Sequence, residues 1–249
     1  METVIPSTSA VLTSLLRADF TTQWRNRRSV VLTLVVPVII LISWKPLVAR
    51  LGGPFVLANC ITIGLFAAGL MGYTVAVARD RDKGIFQRLR VAPLPSWAIM
   101  ASRLLVQVIM IILITTAVFV IGKDYDGITL TPAGYVFTYF TAIIGGSISL
   151  SLGQMIVGFI KNPETVNATT RLVYLAFILV GMFGELKQLG EIGDTAVHWS
   201  PYGTVKTILL ASMEPSGWDS HATVALFLTL LYIVIFAALG IKWFKWNSK

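Results

Sequence analysis

Apolar residues recur along this chain in runs of about 20, separated by short polar breaks, at roughly 30 to 48, 54 to 78, 97 to 122, 132 to 160, 164 to 184 and 222 to 244. At a rise of about 1.5 Å per residue, a run of that length crosses a hydrocarbon core of roughly 30 Å. The pattern therefore predicts an all-α integral membrane protein with six transmembrane helices. The fifth run differs from the rest: Glu164 to Arg171 is polar and only Leu172 to Phe183 suits lipid, so this helix begins in water or lines a protein interior. Thr131-Pro132 and Asn162-Pro163 each place a capping side chain before a proline at the first helical position. Ser96 and Ser220 are the expected caps of the third and sixth spans.

Three segments fall outside the apolar runs. Residues 10 to 28 carry Leu12, Leu15, Leu16, Phe20 and Trp24 at helical spacing, with Arg17, Thr21, Arg25 and Arg28 on other faces, the pattern of an N-terminal interfacial helix. Within the basic segment 79 to 97, Ile85, Phe86 and Leu89 fall on one side of a short helix while Arg88 and Arg90 stay wet. Such a helix offers apolar anchors to a groove on another protein; the plainer alternative is a loop made basic by topology. Residues 185 to 221 are too polar to cross a bilayer. There Leu186, Leu189 and Ile192 suggest one short outer helix, and Val205, Ile208 and Leu209 another. They form a re-entrant hairpin before the last span or lie on the outer leaflet, since non-helical backbone enters lipid only when protein or water covers it.

Composition agrees with the pattern. Of 249 residues, 55% are hydrophobic and only 13% charged, too few polar side chains to coat a soluble globule, so residues 1 to 249 read as a single membrane domain. The net charge of +8 is a topology signal: five of the 20 basic residues, Lys45, Arg50, Lys123, Lys187 and Lys206, fall on one side of the predicted spans. The remainder mark the other side as cytoplasmic, with both termini there. The same division speaks against a nucleic-acid partner, because the basic residues are scattered over four segments. Arg103 and Arg171, near the cytoplasmic ends of their spans, are expected to snorkel. Cys60, alone in an apolar run, offers neither a disulfide nor a cysteine-based metal site. No cleavable signal peptide is expected, since the first apolar run begins only after Ser29.

The motifs resemble those of type 2 permeases of ATP-binding-cassette (ABC) exporters, a family that includes bacterial drug, antibiotic and polysaccharide exporters. Pro37 follows the basic Trp24-Arg-Asn-Arg-Arg28 stretch within the first span. Asp82-Lys-Gly-Ile-Phe-Gln-Arg-Leu89 is similar to the family's acidic-x-Gly-Thr-x-x-x-Leu coupling element, with Ile85 where threonine is commoner. Ala92-Pro-Leu-Pro95 followed by Arg103 resembles its continuation, and His198-Trp-Ser-Pro-Tyr202 the outer segment before the last span. The resemblance implies a plasma (cell inner) membrane permease working as a homodimer or heterodimer over cytoplasmic ABC ATPase subunits. Asp82, Gly84, Ile85, Phe86, Leu89 and Pro93 would then meet the ATPase. The chain itself would bind no cofactor, ATP and Mg belonging to the partner. In keeping with that division, no Gly-x-x-x-x-Gly-Lys-Ser/Thr phosphate loop occurs in the sequence.

Polar residues inside the apolar runs are the candidates for a path taken by an amphipathic drug, lipid or glycan: Asn59, Thr62, Gln107, Thr138 and Thr141, with Thr115, Thr116 and Gln154 beside them. The alternative use of such residues is bonding across helices or back to their own carbonyls. Small residues at spacing four, Gly64, Ala68 and Gly72 in the second span and Gly145, Ser149 and Gly153 in the fourth, suit close helix approach within a chain or at a dimer seam. An ion-coupled secondary transporter is the competing reading. It would be expected to carry a carboxylate in mid-span and an inverted repeat, and neither is visible. A membrane-embedded enzyme would need clustered carboxylates or histidines. His198 and His221 are far apart in sequence, and Asp80 and Asp82 interleave with Arg81 and Lys83 as in a solvated charge run.

Overall fold

The computed structural model describes residues 8–91, 96–185 and 190–244, and among them every regular element is helical. In chain order these are α1 (Thr8–Arg25), α2 (Arg27–Ser43), α3 (Lys45–Leu51) and α4 (Gly53–Phe66), which continues through a π-helical stretch, Ala67–Thr74, into α5 (Val75–Asp82). There follow α6 (Ile85–Val91), α7 (Ser96–Asp126), α8 (Pro132–Phe159), α9 (Pro163–Glu185), α10 (Gly190–Trp199), α11 (Pro201–Met213), a 3₁₀ turn at Pro215–Gly217 and α12 (Ser220–Trp243).

Four of the described helices are long and apolar enough to cross a bilayer: Gly53–Asp82, Ala98–Asp126, Pro132–Phe159 and Ser220–Trp243. The run predicted as one helix from 30 to 48 is instead broken. Thr33–Ser43 and Lys45–Leu51 meet at Trp44 with a bend of 65°, and together they make a fifth candidate. Pro46, at the start of α3, has no amide hydrogen to carry the α2 ladder onward, and the Trp44 amide donates back to the Ile40 and Leu41 carbonyls to close α2. The fifth predicted run is helical, as α9.

Gly53–Asp82 is the axis of the bundle, with 89% of its apolar window buried, whereas only 17% of the α12 window is buried. A Cβ at Gly69 would overlap Ser149, and one at Gly153 would overlap Thr74 Oγ1, so α8 presses against the π-helical stretch at close range. Ser149 Oγ donates to the Leu65 carbonyl at 2.8 Å across this contact. The small residues thus serve packing within the chain. On α12 the exposed Phe227, Leu231, Val234 and Ile235 present the surface that lipid would cover.

Two expected caps form as read: Thr131 Oγ1 accepts from the Gly134 amide, and Asn162 Oδ1 from the amides of Glu164 and Thr165. The cap of α12 is Asp219, one residue before the expected Ser220, accepting from the Ala222 amide at 2.8 Å. In the segment before the last span, Val205, Ile208 and Leu209 are wholly buried, because α11 packs on α4, α8 and α12. Leu186 and Leu189 lie outside the described residues.

Candidate functional site

The segment singled out by the sequence is an elbow at one end of the bundle. After Asp82 the chain turns on Gly84, whose φ of 67° lies in the left-handed region that favours glycine, and α6 begins. The Lys83 amide donates to the Arg79 carbonyl and the Gly84 amide to that of Arg81, which closes α5. Asp82 and Lys83 are exposed, and Gly84 and Ile85 half-buried. Phe86 is not on this outer face. It is 1% exposed, with its ring edge-on to Phe244 at 5.9 Å and under the Arg103 guanidinium at 4.6 Å. The expectation that Ile85, Phe86 and Leu89 project together fails at Phe86 because the chain's own α7 and C-terminal end supply its partners. The Leu89 side chain and Pro93 lie outside the described parts.

Two arginines hold the elbow. Arg81, read from the sequence as part of a solvated charge run, is buried. Its guanidinium donates to the carbonyls of Val157, Ile160 and Lys161 at 2.7 Å each, satisfying acceptors that the end of α8 leaves open. Arg103, expected to snorkel, turns inward and pairs with Asp80 at 2.6 Å. Arg171 is exposed. In the sequence Arg81 is only a charge in the last turn of α5 and Arg103 one about two turns into α7, and neither position distinguishes a wet residue from a buried tie.

The interfacial helix joins the same cluster. Asp19 Oδ2 accepts from Ser102 Oγ at 2.5 Å, beside Arg103 and Asp80. Burial raises the Asp19 pKa above the usual carboxylate value, the Ser102 hydrogen bond and the Arg103 charge oppose the rise, and Asp80 adds to it. A cavity of about 40 Å³, the space of roughly one water, lies among Asp19, Gln23, Tyr73, Asp80, Arg103 and Gln107. Phe20 and Trp24 stack at 6.0 Å on the exposed side of α1, while Val11 and Gln23 are buried.

The polar residues predicted for a path do not converge. Asn59 donates to the Phe55 carbonyl and accepts from Tyr202 Oη at 3.3 Å. Thr62 donates to the carbonyl of Ala58, in its own helix. Thr138 and Thr141 meet Ser212 of α11, Thr141 at 2.8 Å and Thr138 at 3.2 Å. Gln107 stands apart at the small cavity, and its Oε1 has no hydrogen-bond partner. At the opposite end, Trp199 lies between His198 and His221, at 4.7 and 6.4 Å. Burial, then the neighbouring His221, lowers the His198 pKa. Among the described residues no group of three or more histidine, cysteine or acidic side chains could hold a metal.

Against this geometry stand two likenesses. The sequence model of the family described as "ABC-2 type transporter" matches residues 10–202, from the interfacial helix to Tyr202. The chain is also 20% identical over 146 residues to "Putative transport permease YvfS" of Bacillus subtilis (strain 168), an alignment covering 58% of this chain and 59% of that protein. The chain therefore spans well under two thirds of that relative's length.

Proposed function

Because the chain belongs to the ABC-2 type transporter family, we propose that it is the membrane subunit of an exporter whose ATPase is a separate cytoplasmic polypeptide, docking on the α5–α6 elbow. The observation that carries this reading is the way the elbow is held. Asp82 and Lys83 face outward with Ile85 half-buried beside them, while Arg81 ties the same turn to α8 and the Arg103–Asp80 pair ties it to α7. A push on the outer face is therefore delivered to two membrane helices at once. Phe86, inside, is the bearing between the elbow and α7, and Leu89 and Pro93 are assigned to the ATPase-facing surface by the family resemblance alone. Six spans, cytoplasmic termini, a second permease copy and an amphipathic cargo complete the proposal. The buried hydroxyls of Thr138 and Thr141 bordering α11 are the place where a path would open if α11 shifts.

The test is affinity purification of the solubilised chain from its host with identification of what co-purifies. A stoichiometric ATPase, lost on Ile85→Asp while thermal stability is retained, supports the docking assignment. An ATPase that stays bound to the variant overturns the elbow as the docking site, and its absence from the wild-type preparation overturns the exporter.

A further inference from the structure

A second cleft lies away from the elbow, between α7 and α12 with α8 as its floor, and it encloses about 340 Å³. Leu104 on α7, Leu150 on α8, and Ile233, Ala237 and Ile241 on α12 line it. Its rim is open: Leu104 and Ile241 are among the exposed large hydrophobic residues. The serine hydroxyls on its floor are spent on their own helix, Ser147 donating to the Ile143 carbonyl and Ser151 to that of Ile148. One polar group remains. Tyr73 Oη donates to Gln154 Oε1 at 3.1 Å, and among the described residues that amide makes no other hydrogen bond.

Depth identifies what fits. From Ile233 to Ile241 the cleft climbs about 12 Å along α12 at the helical rise, close to the roughly 15 Å thickness of one leaflet's hydrocarbon. At the Ile241 end stand Lys242, Trp243 and Phe159, with the two aromatic rings 4.9 Å apart and the Lys242 ammonium over the indole. An aromatic and a cation side by side mark the level of the headgroups. A dry cleft one leaflet deep, open sideways among lipid-facing residues and ending at a cation, matches a hydrocarbon chain whose anionic or zwitterionic head sits beside Lys242. We propose that this cleft binds one hydrocarbon chain of a membrane amphiphile, with the Gln154 amide, which packs beside Gly240, as a polar contact toward the headgroup end. The assignment rests on the membrane-spanning helices and not on the exporter reading, so either can fail alone.

The experiment uses the full chain in phospholipid vesicles carrying, in one arm, a trace of phosphatidylglycerol with a mid-chain diazirine and, in the other, a diazirine fatty acid. After irradiation the labelled positions are mapped by mass spectrometry. Adducts concentrated on 147–154 and 233–241 are expected, falling about tenfold in Ala237→Trp, which fills the cleft, and unchanged in Val234→Trp on the exposed face of the same helix. Labelling in the phospholipid arm alone assigns the cleft to bilayer lipid, and labelling in both arms to any single chain; both support the proposal. Adducts spread evenly over the exposed faces of α12 in the wild type, or unmoved by Ala237→Trp, would overturn it.

Discussion

Arg81 donates to three carbonyls at the end of α8, so its replacement by methionine would strand acceptors that α8 cannot satisfy alone. A loss of about 3 kcal/mol is expected for Arg81→Met, with a smaller loss for Arg81→Lys, whose single ammonium cannot reach all three oxygens at once; thermal unfolding in detergent reads both. Phe86→Ala would empty a fully buried site and is expected to cost about 3 to 5 kcal/mol. It is therefore a stability variant, and Ile85→Asp is the cleaner probe of docking. For Asp19 the sign follows from its raised pKa. A carboxyl whose folded pKa lies above its unfolded value stabilises the fold fully below the unfolded value and loses that contribution as pH rises through the folded one. Asp19→Asn, which keeps an acceptor for Ser102, is expected to raise Tm relative to wild type at pH ~7, and by less near pH ~4. An equal gain at both would show that burial of the charge is not the cause.

Between elements, the decisive contact is α8 against the π-helical stretch. Thr74 Oγ1 donates to the Gly69 carbonyl five residues back, at 2.7 Å, and Gly153 faces both groups. Gly69→Ala would drive a methyl into Ser149 and is expected to destabilise by about 1 to 3 kcal/mol, against little change for Gly217→Ala, where nothing lies within 4 Å. Denaturation of the two variants side by side checks this. The spacing of small residues was legible in the sequence, but it pointed to Gly64, Ala68 and Gly72, whereas Gly69 meets Ser149. A π-helical stretch changes the angular step between residues, so counting by four drifts off the contacting face within it.

For the whole molecule, the sidedness of the helices can be read with thiols, because the native Cys60 is buried and silent. With Ser216→Cys and Asp82→Cys made separately, an impermeant maleimide added outside intact cells is expected to label the first and reach the second only after permeabilisation. The reverse order would invert the proposed orientation. What the sequence determined by itself was the solvent and the material of the fold: helices, most of their ends, and membrane as part of the surroundings. Each of these follows from the partitioning and hydrogen bonding of residues near in the chain. Trp44 marks where that local reading fails, since Lys45 and Pro46 directly after it read as part of one span although proline cannot carry the helix ladder onward. Which polar groups meet was decided by tertiary structure alone. Arg81 finds oxygens 76 to 80 positions away, and Arg103 closes on Asp80 across 23. Hydropathy records how much each residue wants water, but a buried arginine and a wet one have the same side chain, and only the packing of distant helices supplies the partners that separate them.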